Sequence, residues 1–287
     1  MAKKPTNIAA SVRQHLLNLA RSEGRDFQTL LVAFGLERLI YRLSKSPHRD
    51  KFVLKGGMLV TLWTTDPGRF TRDIDFLAFG ETEDAALTAI FSEILALDAD
   101  DGLKFNIDTI TTTDIREDQV YGGKRLRTVA YLGKTEIPIT VDLGLGDALP
   151  DPHYEIEYGS ILGFEPARIR AYSPATVIAE KFQAVVALGL INGRMKDFYD
   201  LWAIPKATEI NPADLRAAIA ATFERRNTPV PTEAPQGLSA AFAEDPAKAR
   251  QWLTYAEGTE LKGVPLGTVV GDIWEFLRIA VDETRSG

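Results

Sequence analysis

Two aspartates separated by one residue, Asp73 and Asp75, have the side chains and spacing needed to hold a metal ion. They lie in a segment with a strand pattern, in which side chains two positions apart point to the same face. Two carboxylates held that close repel each other unless a cation lies between them. Hard cations such as Mg²⁺ bind one or two protein carboxylates together with substrate phosphates and water. The pattern therefore predicts a Mg²⁺ site here, with Mn²⁺ as the alternative ion.

A glycine pair, Gly56 and Gly57, precedes these aspartates and is predicted to bind phosphate. The order is a short strand, the glycine turn, a short apolar helix and then the aspartate strand. Glycines at a helix start let the backbone approach a ligand, and the helix N-terminus attracts anions. Either motif alone is more often a simple turn or a solvated strand end. In this order they predict phosphoryl or nucleotidyl transfer from a nucleoside triphosphate.

A third carboxylate, Asp142, lies near the end of a strand pattern that begins at Ile137. If this strand neighbours the aspartate strand, Asp142 joins the metal site. Otherwise it is a strand-end residue that begins the loop containing Gly144 and Gly146, and the pattern leaves both readings open.

A second group of charges lies in a predicted helical hairpin. Ser173 and Pro174 are typical of a helix start, and Lys181 falls within the apolar stripe of the helix that follows them. A lysine there either extends to solvent or directs its ammonium into a pocket with an anionic partner. Asp197 begins the next helix, and the hairpin can bring the two side chains together. A purely structural ion pair is an equally good interpretation.

Composition bounds the class of protein. The chain of 287 residues is long enough for two globular domains. Its content of 45% hydrophobic and 25% charged residues is typical of a globular protein. The absence of cysteine excludes disulfides, thiol catalysis and cysteine-ligated zinc. We see no apolar run near the length of a membrane span and no signal peptide, so a cytoplasmic location without a membrane partner is expected. The net charge of −7 argues against a uniformly basic surface but leaves room for a local basic groove.

The remaining patterns predict the α+β class, with a mixed sheet flanked by helices and followed by a helical region. Residues 147–172 read as a connection between lobes. We predict a nucleotidyltransferase lobe over residues 1–160 and a helical lobe over 161–287 that contributes Lys181 and Asp197. The strand patterns cover 104–111, 126–132 and 136–143, and the helical patterns cover 7–21, 26–46, 81–97, 174–188, 195–205, 211–226, 247–257 and 266–284.

Four sequence blocks in order resemble the AbiEii/AbiGii toxin family. They are Leu54-Lys-Gly-Gly-Met, Thr71-Arg-Asp-Ile-Asp-Phe, Val141-Asp-Leu-Gly-Leu-Gly-Asp and Ala179-Glu-Lys-Phe-Gln-Ala, the last followed by Asn192-Gly-Arg-Met-Lys-Asp-Phe-Tyr-Asp-Leu. This family belongs to the nucleotidyltransferase superfamily related to DNA polymerase β and includes the MenT toxins of mycobacteria. The resemblance covers roughly residues 30 to 205.

The resemblance implies a polymerase-β-like amino-terminal lobe, a helical carboxy-terminal lobe and an active site between them. It implies that Lys181 neutralises the triphosphate and that Asp197 matches the essential carboxylate of the family. One departure is Met58, where the superfamily often has a serine or threonine that can donate to phosphate. The remaining implied roles are metal binding by Asp73, Asp75 and Asp142, and triphosphate binding by Gly56 and Gly57. Lys55, Arg72, Arg194 and Lys196 lie close in sequence to these proposed site residues and are also predicted to bind substrate.

MenT-like members transfer nucleotides from NTPs to the 3′ end of tRNA and usually occur with an AbiEi-like antitoxin. By resemblance we expect a Mg²⁺-dependent toxin that transfers NMP from an NTP to an RNA 3′ end, at the acceptor stem of tRNA, and that has a cognate antitoxin. The alternatives are a nucleotide- or protein-binding module without transfer activity and a protein-modifying nucleotidyltransferase. A metal-dependent nuclease ranks last, because it needs no triphosphate cradle.

Overall fold

The computed structural model describes residues 7–115 and 122–283. The chain divides into two compact units that are interleaved in sequence. The sheet unit comprises Met1–Leu62, Phe70–Gly146 and His153–Ala171, and the helical unit comprises Trp63–Arg69, Asp147–Pro152 and Tyr172–Gly287. The predicted division into lobes at residue 160 stays a prediction.

The described part of the sheet unit contains seven strands: β1 (Phe52–Lys55), β2 (Ile74–Ala78), β3 (Leu103–Ile115), β4 (Gly123–Leu132), β5 (Thr135–Leu145), β6 (Glu155–Tyr158) and β7 (Ala167–Arg170). The first five form one sheet in the order β1-β2-β5-β4-β3. β2 and β5 are parallel and the other neighbours are antiparallel, so the predicted mixed sheet is confirmed. β6 and β7 form a separate antiparallel pair.

The described residues form ten α-helices. They are α1 (Ile8–Glu23), α2 (Phe27–Lys45), α3 (Gly57–Thr64), α4 (Asp84–Leu95), α5 (Pro174–Leu188), α6 (Met195–Ala207), α7 (Pro212–Arg225), α8 (Ala240–Ala243), α9 (Pro246–Ala256) and α10 (Leu266–Glu283). The side chains of Asp26 and Ser173 cap the N-termini of α2 and α5. Asp26 accepts a hydrogen bond from the Thr29 backbone at 2.7 Å, and Ser173 accepts one from the Thr176 backbone at 3.3 Å. The α+β prediction is therefore confirmed.

The core of the sheet unit is aromatic where β1 and β2 meet α4. The ring of Phe52 lies 5.9 Å from that of Phe76 and 5.3 Å from that of Phe91. Helix α2 approaches the sheet closely at Gly35, where a Cβ would lie 2.9 Å from Ile139. This packing holds one face of β2 against the core, so alternate residues of that strand face away from it.

Residues 147–172, predicted as a connection between lobes, contain the short strands β6 and β7. The expectation about long apolar segments is wrong. The segment Pro174–Ile191 is long and apolar enough to span a membrane by length and composition, with a mean hydropathy of 1.4, although we expected no such run. It is 61% buried within the protein, which is typical of a core helix. Its Phe182 ring lies 5.2 Å from that of Phe223.

Candidate active site

Asp73 and Asp75 flank a fully buried residue at the start of β2. Ile74 is 0% exposed, whereas both aspartates are only partly buried. Asp73 accepts a hydrogen bond from the Thr71 hydroxyl at 2.5 Å, which fixes its carboxylate. Because the strand alternates, Ile74 anchors the segment in the core while the two carboxylates face away from it.

The glycine turn lies directly against Asp75. Gly56 has φ = +70°, and a Cβ built there would lie 2.0 Å from Asp75 Oδ2. At Gly57, the first residue of α3, a Cβ would lie 2.9 Å from the Thr71 hydroxyl. A side chain at either position would collide with the aspartate segment, and at Gly56 it would also be strained. The two predicted motifs therefore meet, with the start of a helix beside a carboxylate pair.

A row of charged residues crosses the sheet at this point. Strand register places Lys55 on β1 beside Asp75 on β2, and Asp75 beside Asp142 on β5. Asp142 in turn pairs with Arg125 on β4. β5 neighbours β2 and Asp142 lies next to Asp75, so the condition for a third carboxylate at the site is met, while metal binding by Asp142 stays a prediction. We call these four residues the charged row.

Arg125 holds Asp142 with a two-point contact. Its Nε and Nη2 donate to the two carboxylate oxygens of Asp142 at 2.7 and 2.5 Å. These hydrogen bonds raise the pKa of Arg125 above its usual value, against the opposing effect of partial burial. Sequence reasoning did not assign Arg125 a role, because only the β4–β5 register shows that it faces Asp142.

Asp73 and Asp75 would fit a metal ion only together with a substrate. Among the described residues, no group of three or more histidine, cysteine, aspartate or glutamate side chains could hold a metal ion. Asp142 is already paired with a guanidinium. The oxygens of Asp73 and Asp75 are the hard donors that Mg²⁺ prefers, and Mg²⁺ commonly takes its other ligands from phosphate and water. This arrangement suits an ion that arrives with a nucleotide.

Lys181 and Asp197 form a buried pair in the helical unit. The Lys181 ammonium lies 2.9 Å from Asp197 Oδ1 and 2.6 Å from Asp200 Oδ2. Lys181 is 8% exposed and both aspartates are 0% exposed. Burial by itself would lower the pKa of Lys181, but the two carboxylates outweigh it and the pKa lies above its usual value. Lys181 therefore does not extend to solvent, and it keeps its charge.

Two arginines extend this pair into an alternating network. Arg69 donates to Asp200 from Nε at 2.6 Å and from Nη2 at 2.8 Å, and Arg194 Nε lies 2.6 Å from Asp197 Oδ2. We call Arg69, Asp200, Lys181, Asp197 and Arg194 the buried network, although the Arg194 side chain is 48% exposed. The three-residue spacing of the two aspartates on one helix face was the sequence signal for it.

The predicted site residues thus form two groups, one in each unit. Met58 is 3% exposed, so its side chain packs in the core. Arg72 is exposed, with its guanidinium 5.6 Å from the Phe70 ring centroid. The sheet unit holds Lys55, Gly56, Gly57, Arg72, Asp73, Asp75 and Asp142, and the helical unit holds Lys181, Arg194, Lys196 and Asp197.

Comparisons with known proteins show what this chain is similar to. Two structures from Helicobacter pylori are similar at low identity. JHP933 shares 17% identity with a TM-score of 0.49, over 88% of this chain and 91% of that chain. A candidate nucleotidyltransferase shares 18% with a TM-score of 0.44, over 89% and 96%. A comparison with curated proteins finds no match.

Residues 38–277 match the family described as "Nucleotidyl transferase AbiEii toxin, Type IV TA system". The match covers both groups of predicted site residues, from the glycine turn to the buried network. The chain therefore belongs to the AbiEii family of nucleotidyl transferase toxins from type IV toxin–antitoxin systems.

Proposed function

We propose that this protein transfers a nucleoside monophosphate from an NTP to the 3′-hydroxyl of an RNA, at the acceptor end of tRNA. The family makes the chain a nucleotidyl transferase toxin, which implies a nucleotide substrate and a cognate antitoxin. We infer the RNA acceptor from the resemblance of the sequence blocks to MenT-like toxins. A cytoplasmic location stays a prediction.

The contact between Gly56 and Asp75 carries the proposal. The carboxylate occupies the place that a Cβ would take, so the backbone at the start of α3 lies beside the partly exposed aspartates. Backbone N–H groups at a helix start attract phosphate oxygens. A triphosphate bound there would have its charge close to Asp73 and Asp75, which requires a cation between them.

The chemistry is a displacement at the α-phosphorus. The RNA 3′ oxygen forms a bond to the α-phosphorus, the bond to the bridging α–β oxygen breaks, and pyrophosphate leaves with the electron pair. The hydroxyl proton passes to solvent. Mg²⁺ bound by Asp73 and Asp75 would supply electrostatic stabilisation of the phosphate charge.

The residues of this chain position the reactants. The turn at Gly56 and Gly57 binds the triphosphate through backbone N–H groups, because no side chain can stand there. Lys55, in register with Asp75, adds a positive charge at the edge of the carboxylate group. Arg125 neutralises Asp142, which limits the negative charge that an incoming triphosphate meets. Each of these groups is fixed by strand pairing or by the glycine turn before substrate binds.

Lys181 and Asp197 keep their predicted catalytic roles as part of this proposal. Their mutual ion pair shows that the ammonium is charged and held in one place. An Asp197→Asn variant would leave Lys181 paired with Asp200 alone. If Asp197 acts in the nucleotide reaction, this variant should lose transfer activity even at a temperature where circular dichroism shows that it is folded.

The proposal is tested by transfer from labelled NTPs. The protein is incubated with each α-labelled NTP in turn, Mg²⁺ and total tRNA, and RNA 3′ ends are then sequenced. We expect label on tRNA 3′ ends with at least one NTP, release of pyrophosphate, and neither product with Asp75→Asn.

Label on protein instead of RNA would show that the acceptor of the nucleotide is a protein and not an RNA. NTP-independent shortening of RNA would point to a nuclease. No transfer to any RNA with any NTP would overturn the proposed function.

A further inference from the structure

A pocket in the helical unit lies between the start of α6 and one face of α9. Its volume is about 860 Å³, and all the residues that line it belong to the helical unit. This volume lies within the roughly 300–1,000 Å³ of ligand-binding pockets. We call it the basic pocket, after Arg194, Lys196 and Arg250 in its wall.

The charge of the basic pocket is entirely positive. Its lining residues include three cations and no acid. Arg194 forms an ion pair with the buried Asp197. Lys196 and Arg250 are exposed, and no described carboxylate lies within salt-bridge distance of either. In a chain with a net charge of −7, such a concentration of free cations is a local feature that favours an anionic ligand.

The neutral part of the pocket also suits a nucleic acid. Tyr255 lines the wall and is partly exposed. Gln251 and Thr254 add exposed polar side chains on the same helix. Sites for single-stranded nucleic acids combine cations that contact the backbone with aromatic rings that contact bases. An acidic polypeptide would need the cations but would not need the aromatic surface.

We propose that the basic pocket binds the sugar–phosphate backbone of a single-stranded RNA end. Lys196 and Arg250 contact phosphates, and Arg194, which is paired with Asp197, adds a third positive charge to the pocket wall. The identity of the ligand rests on the proposed function, since an RNA acceptor is what makes a single-stranded end available. The location rests on the pocket alone.

The test compares two double variants that remove the same charge. Lys196→Gln/Arg250→Gln removes both pocket cations. The control Lys206→Gln/Lys262→Gln removes two exposed lysines of the helical unit outside the pocket, of which Lys206 lies at the other end of α6, about 15 Å away by helical rise. Binding of a labelled 12-nucleotide single-stranded RNA is measured without NTP over a range of salt concentrations.

We expect the pocket variant to bind at least tenfold more weakly at low salt and the control variant to bind like the unmodified protein. The dependence of log Kd on log salt should become shallower by about 1.4 for the pocket variant, since each single-strand phosphate contact contributes about 0.7. Thermal scans of both variants check that the fold is kept.

Equal RNA binding by the pocket variant and the unmodified protein would overturn the inference. It would also fail if polyglutamate bound as tightly as RNA and lost affinity equally, which would assign the pocket to an acidic polypeptide. Pocket-dependent RNA binding without transfer from any NTP would leave the inference standing and defeat the proposed function. Nucleotide transfer without pocket-dependent RNA binding would overturn the inference and leave the proposed function standing.

Discussion

The charged row and the buried network use the same residue types in opposite ways. In the row, Asp75 and Asp142 lie side by side and are partly exposed. In the network, Asp197 and Asp200 are 0% exposed and each lies between two cations. Two carboxylates side by side at partly exposed positions favour a cation between them, whereas alternating buried charges neutralise one another. Under the proposed function we therefore expect the row to bind the ligand cation and the network to stabilise the helical unit.

The largest effect should come from breaking the network at its centre. Asp200→Ala leaves Arg69 and Lys181 without a shared carboxylate in a buried site, which should cost about 3–5 kcal/mol of stability. We expect the thermal midpoint to fall by roughly 10 °C for a protein of this size. Differential scanning fluorimetry measures it.

Asp272→Ala is the matched control, because Asp272 is 46% exposed and lies 3.7 Å from Lys206. Loss of this exposed pair and of the hydrogen bond that Trp202 donates to Asp272 should cost at most about 2 kcal/mol. Similar midpoints for both variants would contradict a structural role for the network.

Breaking the row should instead cost activity. Asp75→Asn removes a charge from a partly exposed position, so the thermal midpoint should change by no more than about 2 °C. Nucleotide transfer should fall roughly 10²- to 10³-fold, the usual effect of losing one charge-stabilising group. Asp50→Asn, at a side chain that is 78% exposed in the same unit, should leave transfer unchanged. A large loss of stability in Asp75→Asn would remove the distinction between the two regions.

Glu37 sharpens the comparison, because it is a buried carboxylate that accepts hydrogen bonds from Ser160 and Ile161 instead of forming an ion pair. Burial raises its pKa from 4.5 to about 7, against the opposing effect of these hydrogen bonds. Folding therefore favours the protonated form, and stability is lost as the pH rises from about 4.5 to 7.

The measurement is the free energy of unfolding from pH 4 to 8, relative to Glu37→Gln. The unmodified protein should lose up to about 3 kcal/mol relative to the variant over this range, since each unit of pKa shift corresponds to about 1.4 kcal/mol. Parallel pH profiles of the two proteins would show that folding does not raise the pKa of Glu37.

The smallest expected effect comes from releasing Asp142. Arg125→Gln removes a partly exposed ion pair and increases the negative charge beside Asp75. Because such a pair contributes at most about 1 kcal/mol, the Mg²⁺ concentration needed for nucleotide-dependent thermal stabilisation should fall by up to about fivefold. Arg127→Gln, on the same strand but in register with Thr140, should not change it. A higher Mg²⁺ requirement for Arg125→Gln would mean that Arg125 itself contacts the nucleotide.

Local pattern was enough to predict the part of the candidate site that is continuous in sequence. The strand, glycine turn, helix and second strand from Phe52 to Ala78 follow from turn chemistry and alternation. The proximity of Lys181 and Asp197 followed from the short connection between two helices. The catalytic roles of Lys181 and Asp197 and the metal binding by Asp73, Asp75 and Asp142 stay predictions.

Contacts between distant segments could not be predicted in this way. The pairing of Asp75 with Asp142 depends on a parallel register between β2 and β5, which no local pattern encodes. The contact between Arg69 and Asp200 joins residues 131 positions apart. Strand register and non-local ion pairs depend on tertiary packing, so these parts of the site required the structure.

The interleaved sequence of the two units constrains how this protein can be shortened or recombined. Trp63–Arg69 begins in the last two residues of α3 and ends before β2, but it belongs to the helical unit, to which it contributes the guanidinium that binds Asp200. A fragment that starts at Tyr172 would lack this arginine and would leave Asp200 without its two-point partner. Chimaeras that exchange the carboxy-terminal half between relatives must therefore carry this seven-residue segment with it.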